Sequence, residues 1–351
     1  MNTYVATLRG APPGACGVRI RRRRRATAVT TVLGALAFGL FVATLTIGSS
    51  YVPPLDVVSS VLGLSADQGV NFIVRELRLP AAASALCVGI ALGVSGTLFQ
   101  QLLRNPLASP ELIGISAGSS VAAVAGIALF AWSGFAISGA ALLGAFGAAA
   151  LIYSIAWRGG ISGYRLILVG IGISELMLSV VAYLVARAEI RDAREATHWL
   201  AGSIGQAGSG ELAALVGALL VLVPLALILS RGLRALELGD DQARALGARV
   251  ETARLGLIAV AVALVAFATA VAGPIAFVAL VAGPIAQRLL RDGQATILAS
   301  AFVGASIVLS ADLVSQHALP IALPTGVVTG AIGAPYLLWL LAAMNREGRG
   351  G

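Results

Sequence analysis

LPAAASALCVGIALGVSGTLFQQLLRNPLASPELIGISAGSS, residues 79–120, decides how this chain folds. It opens on an apolar, glycine-bearing run that reads as a helix to about residue 103. A polar octet follows, Arg104-Asn105-Pro106-Leu107-Ala108-Ser109-Pro110-Glu111. Its two prolines cannot continue a helix and restrict the residues before them, so they stop the first helix and shape a turn. A second apolar run leaves the turn at once. Paired apolar helices joined by so short a polar loop read as neighbouring spans, since crossing a bilayer takes about 20 mostly apolar residues.

The rest of the chain repeats that texture. Of 351 residues, 58% are hydrophobic and 11% charged, which lies outside the range of soluble domains. Apolar blocks predict about ten spans, at 27–48, 79–103, 112–132, 136–157, 165–187, 211–230, 254–272, 274–290, 296–317 and 324–345. The expected class is therefore an all-α, polytopic membrane protein. Its organisation is expected to be a basic tail (1–26), one membrane domain (27–345) and a short C-terminal tail (346–351). Charge checks the count. With both termini in the cytoplasm, 19 arginines fall inside and 5 outside, as the positive-inside rule requires. Five of the inside arginines form the run 21–25. The apolar stretch after it is too long for a signal peptide and predicts a retained first span.

All 24 basic residues are arginine. A nucleotide-binding P-loop needs a lysine, so ATP-driven work would require a separate ATPase polypeptide. Cys16 and Cys87 lie in the tail and in a span, with no metal-ligand spacing. His198 and His317 are far apart and have no nearby ligand cluster. Neither a bound metal nor a catalytic cluster is expected, and the chain is not expected to be an enzyme.

Three outer segments are more than turns. Residues 51–78 predict a short surface helix, and 188–210 a charged helix ending at Trp199-Leu200-Ala201-Gly202-Ser203. Gly273-Pro274 joins two spans. Gly89 and Gly93 are spaced to let helices approach closely. Glu175 lies mid-span, where a carboxylate is costly and faces a cavity or a partner. As a proton carrier it would suit an ion-coupled secondary transporter, a rival class that needs no ATPase.

The ordered motifs resemble the FecCD family of permeases, the membrane subunits of type II ABC importers for iron-siderophores, haem or cobalamin. The octet and its flanks carry the resemblance first. Arg78-Leu79-Pro80 precedes the second span, and Trp199-Leu200-Ala201-Gly202-Ser203 resembles W-x-x-G-S. Gly239-Asp240, Ala243 and Leu246-Gly247 resemble the family's cytoplasmic coupling segment. Gly273-Pro274-Ile275-Ala276-Phe277-Val278 resembles G-P-I-x-F-V, and Leu323-Pro324-Thr325-Gly326 with Gly333-Ala334-Pro335 resembles the last span.

That resemblance implies roles. Gly239, Asp240, Ala243, Leu246 and Gly247 would dock in a groove of the ATPase. Asn105, Pro106 and Leu107, with Gly159, Gly160, Ser162 and Gly163, would form the cytoplasmic gate. Arg75 and Arg78 would receive an extracytoplasmic binding protein. Gln100 and Glu175 would lie on the translocation path. The implied partners are a second permease subunit, identical or not, two ATPases and the binding protein, with a metal chelate as cargo. Iron-siderophore is the first expectation, haem and cobalamin the alternatives. No cofactor is expected on this chain; ATP would be used by the partner. Three positions depart from the pattern: Ala81 and Gln316 stand where arginines are usual, and Gly283-Pro284-Ile285-Ala286-Gln287 moves a proline by one place.

Overall fold

A computed structural model describes residues 13–48, 50–157, 163–205, 208–237, 250–290, 296–318 and 320–347. The elements in chain order are α1 (Pro13–Thr46), α2 (Pro54–Val61), α3 (Gln68–Asn71), a π-helical turn (Phe72–Arg78), α4 (Leu79–Leu103), α5 (Ile115–Phe130), α6 (Phe135–Ala156) and α7 (Gly163–Arg187). Then come α8 (Ile190–Leu200), α9 (Ser209–Glu237), α10 (Val250–Ala272), α11 (Val278–Leu290), α12 (Thr296–His317) and α13 (Thr325–Glu347). The described residues contain no strand.

Seven of the described helices are long and apolar enough to cross a membrane. Three shorter apolar helices, Ile115–Phe130, Val278–Leu290 and Thr325–Leu340, stand where three further spans are expected. The expected count of about ten is therefore approximate: seven helices qualify by length, and three shorter ones occupy the remaining positions. At 1.5 Å per residue, the 13 residues of α11 reach only about 20 Å, well short of a hydrocarbon core of about 30 Å. Something other than helix must make up the depth.

The second span runs longer than its sequence suggests. Helix is continuous from Gln68 to Leu103, passing Pro80 without a stop. Proline removes a backbone donor, and a widened turn accommodates it. Here Leu79 N–H bonds Val74 O, five residues back, within the π-helical turn. The surface helix expected within 51–78 is present as α2, and Asp67 caps α3 by accepting from the Gly69 and Val70 amides at 2.8 and 3.2 Å.

Helix α4 is the hub, packed by α12, α10 and α11. Most of α4 is buried, whereas α7 is largely exposed and lies at the edge of the subunit. Lipid offers helices no hydrophobic drive to associate, so close approach of small residues has to do that work. A methyl group on Gly89 would lie 2.6 Å from Gly304 O and 2.7 Å from Ala305 N of α12. Gly93 meets Ser300 O, and Gly96 meets Ala279 O of α11. The close approach expected at Gly89 and Gly93 is therefore present. Ser95 Oγ donates to Ala261 O at 2.7 Å and fastens α10 to the same helix.

Candidate functional site

The octet does not lie flat at the end of the bundle. Helix α4 stops at Arg104, whose φ of 49° is left-handed, and Asn105 Oδ1 accepts from the Leu107 amide at 2.9 Å to build a turn. Ala108, Ser109 and Pro110 are buried, and Ser109 Oγ accepts from the Leu112 amide at 3.3 Å. The chain then climbs along α7. Leu103 faces Gly163, Ile113 faces Gly170, and Gly114 faces Ser174. Seven to eleven residues along α7 correspond to a rise of roughly 10–16 Å before α5 begins. Gly114, at φ 94°, makes the turn into that helix.

The connection after α10 does the same from the other end. Gly273 (φ 69°) turns the chain back, and Pro274–Phe277 runs on to a late-starting α11 beside Gly96. Phe277 also has a positive φ, 68°, and its side chain packs on Gly333 of α13, where a Cβ would collide. The two non-helical segments meet: Glu111 Oε2 accepts from the Phe277 amide at 3.1 Å. Non-helical backbone at membrane depth is tolerated where protein covers it or where it lines a cavity.

Gln100, expected on the translocation path, is 3% exposed and sits between α4 and α11 in this conformation. Its place has a local cause. Pro284 has no N–H, so the Leu280 carbonyl four residues earlier loses its helical donor. Gln100 Nε2 donates to that carbonyl at 2.8 Å. Gly283 leaves room for the Gln100 side chain, which a Cβ there would overlap. The displaced proline therefore comes with its own repair. Gln100→Leu should leave a buried carbonyl unpaired and cost about 1–3 kcal/mol. The thermal midpoint of the purified permease should fall, and an unchanged midpoint would refute the repair.

At the end of the bundle away from the arginine run, three motif segments close on one another. Gly202 (φ 69°) abuts Pro274 O, Gly326 abuts Ala201 O, and a Cβ on Gly273 would lie 2.5 Å from Trp199 O. The Ser203 amide donates to Ala272 O at 2.8 Å, and the Gly326 amide to Gly202 O at 2.9 Å. Buried Asp312 holds the rim, accepting from Thr325 Oγ1 at 3.1 Å and from Gln316 Nε2 at 2.9 Å.

The expected docking arginines lie at this same end. Arg75 is exposed, with Nη2 donating to Val61 O at 3.3 Å. Arg78 is committed: Nη1 donates to Leu45 O and Thr46 O at 3.0 and 3.1 Å, and Nη2 to Ser50 O. It staples the end of α1 to α4. Arg78, Ala81, Asp312, Gln316 and His317 line one open cavity of about 410 Å³, so both arginine departures sit beside the arginine that remains.

Of the expected gate, Asn105, Pro106 and Leu107 are half-buried at the foot of the climbing loop, and Gly163 touches Leu103. Gly159, Gly160 and Ser162 lie outside the described residues, as do all five coupling residues, Gly239, Asp240, Ala243, Leu246 and Gly247. Glu175 is exposed on the open face of α7, among Leu168, Ile171, Leu176 and Leu178. It is not brought together with Gln100. Half-buried Glu111 and buried Asp312 carry no role in the sequence reading, because nothing in their local patterns announces a partner 166 or 13 residues away.

The FecCD transport family model matches residues 35–343, and the chain belongs to that family. It is 36% identical over 292 residues to the ferric enterobactin transport system permease protein FepG of Escherichia coli K12, covering 83% of this chain and 88% of that one. It is 38% identical over 310 residues to the achromobactin transport system permease protein CbrC of Dickeya dadantii, covering 87% and 88%. The hemin transport system permease protein HmuU of Yersinia pestis is 32% identical over 298 residues, covering 82% and 88%. Among solved structures, a metal-chelate type ABC transporter in an inward-facing conformation matches with a TM-score of 0.79 at 28% identity, covering 90% of this chain and 99% of that one. The fold is that of a multi-pass ABC importer permease, and members of this family are not themselves enzymes.

Proposed function

We propose that this chain is the permease subunit of a bacterial importer for iron-siderophore complexes. It moves its cargo by alternating access, powered by separate ATPases. Family membership over residues 35–343 carries the proposal, and siderophore permeases such as FepG and CbrC favour iron-siderophore over haem. The chain breaks no covalent bond. It works in the plasma membrane as one half of a permease dimer, with both termini and the 238–249 connection in the cytoplasm. Two ATPases dock on that side. A binding protein delivers cargo to the end where Gly202, Gly273 and Gly326 interlock. Arg75 and the cavity containing Arg78 meet it there.

Glu175 supports a dimer. A charged side chain at the centre of a lipid-facing helix costs about 2.5–3.5 kcal/mol on insertion scales. A second permease subunit packed on the open face of α7 would replace lipid with a polar path beside Glu175. Glu175→Gln should therefore change the transport rate or its pH dependence more than it changes expression. A cysteine at this position that never reacts with water-soluble thiol reagents, in any nucleotide state, would place the residue off the path.

The docking end favours a non-identical second subunit, because Ala81 and Gln316 remove two expected arginines and a homodimer would repeat both losses. One exposed ion pair is worth about 0–1 kcal/mol, but several lost on both halves weaken docking. The test is uptake of labelled ferric siderophore, haem or cobalamin in cells lacking other permeases. This chain is supplied with its ATPase and binding protein, with and without a second permease. Siderophore uptake that requires the second permease is expected. Full uptake with this chain alone would rule out the heterodimer, and uptake of haem or cobalamin in place of siderophore would overturn the substrate.

A further inference from the structure

We propose that Glu111 is a positioning residue for transport, tying the re-entrant loop 104–114 to the start of α11 so that movement of α10 reaches the gate. The proposal rests on the reading of the chain as an ATP-driven importer permease. Helix α10 runs from the 238–249 connection, where the ATPase would push, to the break at Gly273–Phe277. Phe277 ends that break, and its amide is held by Glu111 Oε2 at 3.1 Å across 166 residues of chain. From Glu111 the loop leads back through the buried Ser109 turn to Asn105 and Leu107. One side chain thus bridges the element that would receive the stroke and the loop that would open.

Two features mark this link as one of two arrangements. Phe277 is bulky, yet it is kept at φ 68°, a conformation that persists only where the surroundings impose it. Its ring is braced by α13 at Gly333. Glu111 Oε1 is buried and has no hydrogen-bond partner among the described residues. A carboxylate kept only for packing would not leave an acceptor unpaired at that depth. When α10 shifts, Phe277 leaves the left-handed region.

The experiment measures ATP hydrolysed per chelate imported in proteoliposomes holding the complete transporter. Glu111→Gln keeps an oxygen acceptor for the Phe277 amide. It is expected to hold the ratio within about twofold of the parent, because the bond to the Phe277 amide is kept. Glu111→Ala removes the acceptor and should raise the ratio at least about tenfold, a change equivalent to losing one well-made buried hydrogen bond. Glu111→Asp, one methylene short of Phe277, should behave like Glu111→Ala and serves if the alanine variant does not assemble. A parental ratio in both shortened variants overturns the proposal. So does equal damage from Glu111→Gln and Glu111→Ala, or failure of both shortened variants to assemble, which would make Glu111 a folding residue. If the parent imports no chelate with ATP, the importer reading fails, and that result is separate from the behaviour of Glu111.

Discussion

Gly247→Trp is expected to leave the permease folded in the membrane and to strip it of its ATPase. The 238–249 connection lies outside the described residues, but its two ends are fixed, by Glu237 at the end of α9 and Val250 at the start of α10. Both ends belong to the arginine-rich side of the bundle. Small residues at 239, 243 and 247 would allow close docking against a partner, and a tryptophan at 247 would hold the surfaces apart. Losing a central contact of this kind costs about 2 kcal/mol or more, roughly a thirtyfold loss of affinity. Co-purification of the ATPase and ATP-dependent transport should both be lost, while yield and thermal midpoint stay at parental values. Normal co-purification would remove the coupling role from this segment.

Gly273→Val has the opposite signature, with large loss of folded protein. The residue sits at φ 69°, where a side chain is strained by about 1–2 kcal/mol, more for a β-branched one. The new Cβ would also lie 2.5 Å from Trp199 O, a backbone atom that cannot swing away. Overpacking of this sort adds about 1–3 kcal/mol. The chain reversal into α11 and the contacts with Gly202 and Gly326 would fail together. Solubilised monodisperse protein should drop severely, and Gly273→Ala should fall in between. Parental yield and melting behaviour in the valine variant would show that the junction tolerates what its geometry forbids.

Much of this was legible from sequence because membrane folding writes itself in long apolar runs and in where the arginines fall. The spans, the charged helix α8 and the close approach at Gly89 and Gly93 followed from those patterns. Depth was not legible. Nothing in Arg104–Glu111 says that the loop climbs along α7, since hydropathy does not distinguish a surface turn from one covered by protein. The short α5 and α11 are consequences of that climb and of its counterpart after α10. Gln100 is expected on the path only through the family resemblance. Its actual partner depends on Pro284, 184 positions later, and on a glycine beside it. Glu111 escaped for the same reason, its partner lying 166 positions away. The Arg75–Arg78 pair was legible as a basic feature, but only the geometry shows that Arg78 is spent on the carbonyls of Leu45, Thr46 and Ser50.

The central claim is that this chain is the path of an importer energised by another polypeptide. The most direct measurement is uptake of a ferric siderophore into proteoliposomes holding the permease, its ATPase and its binding protein. It is read with ATP inside the compartment where the ATPase sits, and again with only an imposed proton gradient. Uptake that needs ATP, the ATPase and the binding protein, and that ignores the gradient, is predicted. Uptake driven by the gradient without ATP, and abolished by Glu175→Gln, would contradict the account and make the protein an ion-coupled transporter.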